Sequence, residues 1–160
     1  MPRRSAWSSR AAGVAAVLML VAACTGPGDG PQPLTATTDL AGDHEVPPVT
    51  TAASGTATAT LEGSTLTIGG TFSDLSSDLL SVAGSPAHIH QAAPDANGPI
   101  VGNLDVGSDD ERNGSLSGSL ELTSAEQQAF RDGLLYVNVH TADHPGGEIR
   151  GQFEPIGPAN

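Results

Sequence analysis

The 160-residue sequence contains no lysine and a single cysteine, and each shortage excludes a class of protein. Six arginines carry all of the positive charge, and three of them (Arg3, Arg4 and Arg10) stand at the beginning of the sequence. Eighteen acidic residues oppose them, which gives a formal net charge of -12. A chain this acidic repels phosphate backbones, so we expect no nucleic-acid partner. One cysteine, Cys24, cannot form a disulfide within the chain.

Aromatic residues make up only 3% of the sequence, and no apolar run is long enough to cross a bilayer as a helix. The run at 11–23 follows three arginines and has the length of the apolar part of a secretory signal peptide. It ends in Val-Ala-Ala before Cys24, which resembles the lipobox of bacterial lipoproteins, where the cysteine is lipidated. We predict a signal peptide over 1–23, a lipid on Cys24 and a flexible tether over 24–33.

This leader predicts a protein outside the cytoplasm that is attached to the bacterial cell membrane through the lipid on Cys24. An ordinary signal peptide, followed by secretion, is the alternative. No feature of the sequence identifies a protein partner.

Segments that alternate polar and apolar residues are the main structural signal in the rest of the sequence. In 54–63, threonines alternate with Ala57, Ala59 and Leu61, and this period of two predicts a half-buried strand. The 20 glycines and 12 prolines supply turns between such segments. We predict an all-β domain over 34–157, folded as an antiparallel Greek-key β-sandwich. Further strand segments lie at 64–72, 114–122, 134–141 and 147–155.

One short helix is expected among these strands, at about 123–132. Thr123 and Glu126 match a capping box, in which each residue caps the backbone of the other. Gly133 stands where a helix commonly ends.

Two of the five histidines, His88 and His90, are two residues apart. On a strand their rings leave the same face, with Cα atoms about 7 Å apart, so both can reach one metal ion. His140 ends the polar side of the 134–141 segment and is the best third ligand, while His144 and His44 are weaker candidates. Imidazole nitrogens suit copper and zinc. The open alternative is structural: each ring bonds a backbone carbonyl and fixes a loop.

Five blocks of the sequence, taken in order, resemble the CHRD domain family, which is named for chordin and is widespread among secreted bacterial proteins. The resemblance runs from about residue 34 to 154, and it implies an extracytoplasmic β-sandwich without implying a known reaction. Family members more often carry Asn, Gln or Ala where this chain has His44, so no role for His44 carries over. The blocks are Glu45-Val46-Pro47-Pro48, His88-x-His90, Asn97-Gly98-Pro99, Asn138-Val139-His140-Thr141 and Gly147-Glu148-Ile149-Arg150-Gly151-Gln152.

Polar residues of these blocks have simpler roles. Glu148 and Arg150 share a face of the last strand and predict cross-strand ion pairs. Glu45, before two prolines, is expected to bond backbone groups at a sheet edge. Asn97 and Gly98 are turn residues, and Asn138 lies on the polar side of its strand.

These observations favour a binding protein over an enzyme. Our first hypothesis is capture, delivery or electron exchange of a copper or zinc ion. The second is an interaction or adhesion module whose histidines are structural. The third is a metalloenzyme that resembles superoxide dismutase in layout, although the sequence lacks a recognisable zinc loop and the disulfide of those enzymes. No nucleophile elbow or phosphate-binding loop is present.

Overall fold

The computed structural model describes residues 32–155 as one antiparallel sheet of nine strands with a single α-helix. The predicted signal peptide, Cys24 and nearly all of the tether lie outside the described residues, as do residues 156 and 157. The strands are β1 (Leu34–Ala41), β2 (Ser54–Glu62), β3 (Thr65–Ser73), β4 (Ala87–Gln91), β5 (Ile100–Asn103), β6 (Asp105–Ser108), β7 (Gly114–Glu121), β8 (Leu135–Val139) and β9 (Ile149–Gln152). The helix α1 is Ser124–Arg131, and a 3-10 turn covers Gly42–His44.

The sheet curls until its two ends meet. Its strand order is β5-β4-β8-β9-β1-β2-β3-β7-β6, and every pair is antiparallel. β5 and β6 stand at opposite ends of this order, yet Leu104 alone separates them in the chain. The sheet is therefore nearly a barrel. The predicted all-β antiparallel fold is confirmed. The two layers expected of a sandwich belong to one continuous sheet.

The core fills the inside of this sheet, and the period of two explains how. In β2, Ala57, Ala59 and Leu61 are buried while the threonines between them face outward. β2 and β3 form the predicted hairpin, with Gly63 at a positive φ of 62° in its turn. Burial of the aliphatic side chains of the core is the main source of stability for the fold.

Helix α1 closes one side of the core. The predicted capping box is present: the Thr123 hydroxyl accepts from the Glu126 N–H, and the Glu126 carboxylate accepts from the Thr123 N–H. Phe130 is fully buried and packs edge-on against Phe153, with ring centroids 6.3 Å apart. No helix within residues 32–155 has the length and hydropathy that crossing a membrane requires.

Strands β4, β8 and β9 are buried on both faces, which positions the candidate site. Their inner face carries core residues such as Ile89 and Val137. Their outer face carries polar residues in register, because His88 pairs with Asn138 and Asn138 pairs with Arg150. Loops cover this outer face, so a row of polar side chains is enclosed between the sheet and its loops.

A candidate metal centre of three histidines

The rings of His88, His90 and His140 meet on the outer face of β4 and β8. His88 and His90 lie on β4, and His140 follows the last residue of β8. One nitrogen from each ring lies within 4.8 Å of the other two. The side chains are 0%, 9% and 4% exposed, respectively. The sequence prediction that His140 closes on the His88-x-His90 pair therefore matches the geometry.

Each ring uses one nitrogen to hold a covering loop. His88 Nε2 lies 2.7 Å from the Val82 carbonyl, His90 Nδ1 lies 2.9 Å from the Gly98 carbonyl and His140 Nδ1 lies 3.0 Å from the Pro145 carbonyl. A carbonyl can only accept a hydrogen bond, so each of these ring nitrogens carries the proton. These partners thus assign the tautomer of each neutral ring.

The remaining nitrogen of each neutral ring is then a lone pair. His88 Nδ1 and His140 Nε2 face each other at 2.9 Å, and neither has a proton left to share. Two facing lone pairs repel unless they share a proton or move apart to bind one metal cation. His90 Nε2 is buried and has no hydrogen-bond partner at all. Each ring therefore has one unprotonated nitrogen, and the three rings lie close together below the surface.

The environment disfavours a proton as the bridging cation near neutral pH. Burial lowers the pKa of His88 and of His90 below the ordinary value. Burial and then the neighbouring His88 lower the pKa of His140 to about 4. The rings are thus held neutral, which is the state that binds a metal ion.

The spacing is close to that of a bound ion. Two nitrogens that bind one zinc ion at 2.0–2.1 Å lie at most about 4.2 Å apart. In a tetrahedral site the separation is about 3.3–3.4 Å, so nitrogens up to 4.8 Å apart must approach by at most about 1.5 Å, and the facing pair at 2.9 Å must separate by about 0.4 Å.

Tyr136 and Arg150 support the ring of His90. Tyr136 stacks on His90, with centroids 5.0 Å apart and planes 9° from parallel. The Arg150 guanidinium covers the other side of Tyr136, 3.5 Å from the ring centroid. Arg150 also donates to the carbonyls of Ala93 and Ala96, which fixes the loop that carries the His90 partner Gly98. The cation and the loop together hold His90 in place.

Asn97 and Gly98 complete that loop, as their turn chemistry predicts. The Asn97 amide donates to the Val46 carbonyl at 2.6 Å, and the Gly98 N–H donates to the Tyr136 hydroxyl at 3.2 Å. A Cβ on Gly98 would collide with the Gln91 carbonyl, so no larger residue fits there.

Glu45 and Asn138 lie beside the cluster with unsatisfied atoms. Glu45 is 5% exposed, and burial raises its pKa to about 7 against the opposing effects of Arg150 and the Val46 N–H. The Asn138 amide donates weakly to the Gly146 carbonyl, at 3.4 Å, while its oxygen has no partner. Both residues were predicted only as polar framework.

Glu148 and Arg150 do not form the expected ion pairs with any described residue. The Glu148 carboxylate is fully buried and accepts from the Thr51 and Thr141 hydroxyls and the Ser76 N–H, at 2.6, 2.7 and 2.8 Å. Although burial opposes it, these hydrogen bonds lower the pKa of Glu148. Three neutral donors are sufficient to stabilise the buried anion, and Glu148 therefore connects three loops instead of pairing with a cation.

The weaker candidates His44 and His144 lie outside the group of three. His44 is exposed, and its Nδ1 contacts the Arg150 carbonyl at 3.1 Å. His144 is half-buried in the turn between β8 and β9, where its backbone bonds that of Thr141. The structure therefore offers three histidine ligands rather than five.

Sequence reasoning missed the residues that hold the rings. Tyr136 lies two residues before Asn138 on the same face of β8, and that period of two was a usable signal for its contact with the site. Val82 and Pro145 act through backbone carbonyls, so their side chains carry no signal.

A family model described as CHRD domain matches residues 36–153. No curated protein was found to match the chain. The match includes most of β1, all of the other eight strands and the three clustered histidines, and it covers well over half of the sequence. The chain therefore belongs to the CHRD domain family.

Proposed function

We propose that this protein binds one copper or zinc ion through His88 Nδ1, His90 Nε2 and His140 Nε2. The observation that carries the proposal is the pair of facing nitrogens 2.9 Å apart, whose protons are both used on backbone carbonyls. A metal cation would turn that repulsive contact into two bonds. It would also give the unpartnered His90 Nε2 a ligand.

Burial favours metal capture or delivery over catalysis. The three rings are at most 9% exposed, so a bound ion would have little contact with a substrate. Three neutral nitrogens leave a fourth position for water or an exchange partner. We propose that this occurs outside the cytoplasm, with Cys24 lipidated, on the basis of the leader in the sequence.

The hydrogen bonds to Val82, Gly98 and Pro145 also support a second candidate function, an interaction module with structural histidines. In that case each ring only ties a loop to the sheet. The two candidates differ in whether the three free nitrogens have any ligand.

Isothermal titration of the metal-stripped, full-length chain with Cu²⁺ and Zn²⁺ tests the proposal. We expect one ion per chain with submicromolar affinity, weakened more than tenfold in His88→Ala or His140→Ala. His144→Ala is the matched control and should bind as the parent does. Weak binding whose affinity is the same in the parent and in all three variants would overturn the metal function and favour the interaction module.

Nitrogen NMR of the parent protein avoids any dependence on the folding of variants. The three tautomers predict a protonated Nε2 on His88 and a protonated Nδ1 on His90 and His140. Zinc should shift the resonances of the other nitrogen in each ring and leave His44 and His144 unchanged. Unmoved resonances at saturating zinc contradict the proposal.

A further inference from the structure

A metal ion can reach the buried histidine cluster only along a path from solvent. The structure contains a groove that could form the outer part of this path. A groove of about 760 Å³ runs beside the site. Its lining includes the acidic residues Asp39, Asp43, Asp95 and Glu154. Arg150 also lines it, but this residue is only 1% exposed, and its guanidinium donates to loop carbonyls and to Gln152. An acidic groove of this kind concentrates cations from solution.

Glu45 connects this groove with the histidines. It lines the groove, yet its side chain is buried and its Oε1 atom has no partner. A Cβ on Gly147 would collide with that oxygen and would lie 2.8 Å from Asn138 Nδ2. The carboxyl group and the amide therefore border the same small space above Gly147. The Asn138 amide in turn neighbours the His90 ring.

Unpartnered atoms mark each stage of this path. Among residues 32–155, the buried side-chain atoms without a hydrogen-bond partner are Glu45 Oε1, Asn138 Oδ1 and His90 Nε2. An unsatisfied buried atom costs about 1–3 kcal/mol, so each of the three needs a partner other than a protein group, such as water or a bound ion. Two oxygens and an imidazole nitrogen form a donor set that a divalent transition metal accepts.

We propose that Glu45 and Asn138 form a transfer site that passes a divalent metal ion from the acidic groove to His90 and so to the three-histidine centre. This rests on the proposed function and adds its access route. Glu45 Oε1 binds the ion first and Asn138 Oδ1 binds it next, and His90 Nε2 then replaces them as the ion joins His88 and His140. A transfer site changes the rate at which the ion arrives and leaves more than the final affinity.

Stopped-flow kinetics of Zn²⁺ release from a chromophoric chelator to the full-length protein, at pH 8, test this route. Glu45→Gln keeps the size of the side chain and removes the charge. We expect it to slow association and dissociation by a similar factor, tenfold or more. Glu62→Gln, at the exposed end of β2 outside the groove, is the matched control and should keep the parent rates.

A second variant leaves the buried residues untouched. Asp39 and Asp95 are exposed on the groove, and changing both to asparagine should slow association about threefold at low salt and leave it nearly unchanged at high salt.

The outcomes separate this inference from the proposed function. Parent-like association in Glu45→Gln would overturn the transfer site while metal binding stands. A tenfold loss of affinity, with only dissociation affected, would make Glu45 a permanent ligand and would also overturn it. If the parent itself takes up no zinc, the proposed function fails first.

Discussion

Replacing His140 with asparagine is expected to make folding less sensitive to acid. In the folded chain, burial and the neighbouring His88 lower the His140 pKa from 6.5 to about 4. In the unfolded chain the ring has its ordinary pKa and takes up a proton as the pH falls below about 6.5. Since proton uptake by the unfolded state favours unfolding, stability is complete above pH 6.5 and is lost as the pH falls to about 4.

The size of the effect follows from the shift. A change from 6.5 to about 4, at about 1.4 kcal/mol for each unit of pKa, corresponds to about 3 kcal/mol. His140 is 4% exposed, so solvent screens this effect little. Asparagine places its amide nitrogen near the position of the His140 Nδ1 atom and keeps a donor for the Pro145 carbonyl. The variant therefore removes the titration with limited disturbance of the turn.

Urea denaturation of the metal-free parent and variant from pH 4 to pH 8 measures the difference. The variant is less stable at pH 8, because a buried ring is lost, and the gap should narrow by about 3 kcal/mol on the way to pH 4. His144→Asn should follow the parent at every pH. A gap between parent and His140→Asn that stays constant with pH would refute the idea that burial keeps His140 neutral.

Three further substitutions test other parts of the site. Burial raises the pKa of Glu45 to about 7, so the contribution of this carboxyl group to folding stability is present below pH 4.5 and is lost as the pH rises to 7. Glu45→Gln should therefore raise the free energy of unfolding by about 2–3 kcal/mol at pH 8. An unchanged free energy of unfolding would show that the carboxyl group is well solvated. Arg150→Lys loses the planar contact with Tyr136 and part of the hydrogen bonding to residues 92–98. Urea denaturation should show a free energy of unfolding lower by about 2–4 kcal/mol, and amide exchange in 92–98 should accelerate. Exchange at the parent rate would contradict this role. Glu148→Ala leaves three donors without their acceptor, and thermal denaturation should show that folding stability falls by about 3–5 kcal/mol. A fall of less than about 1 kcal/mol would show that the carboxylate is dispensable.

Local sequence patterns were enough to predict most strands. The alternation of Thr58 with Ala57 and Ala59 identifies an inner and an outer face, because successive side chains on a strand point in opposite directions. The capping residues Thr123 and Glu126 are equally local, and both were confirmed. What these patterns cannot specify is which strands pair, since β4 pairs with β8 across about fifty residues.

The histidine centre was predictable for a related reason. His88 and His90 share a face because of their spacing, and His140 lies on the polar side of its own segment. The pairing of β4 with β8 is what brings these segments together. Glu148 shows the limit: its charge predicted an ion pair, but burial among Thr51 and Thr141 decided its partners.

The meeting of the two sheet ends at Leu104 has a consequence for self-association. Strand edges are where a second copy adds to a sheet and where fibrils grow. In this fold β5 and β6 are the terminal strands, each is only four residues long, and the single residue between them keeps their ends together. The described part of the chain thus offers only short strand edges to a second copy, and concentrated preparations should remain free of cross-β aggregates as long as β5 and β6 stay together.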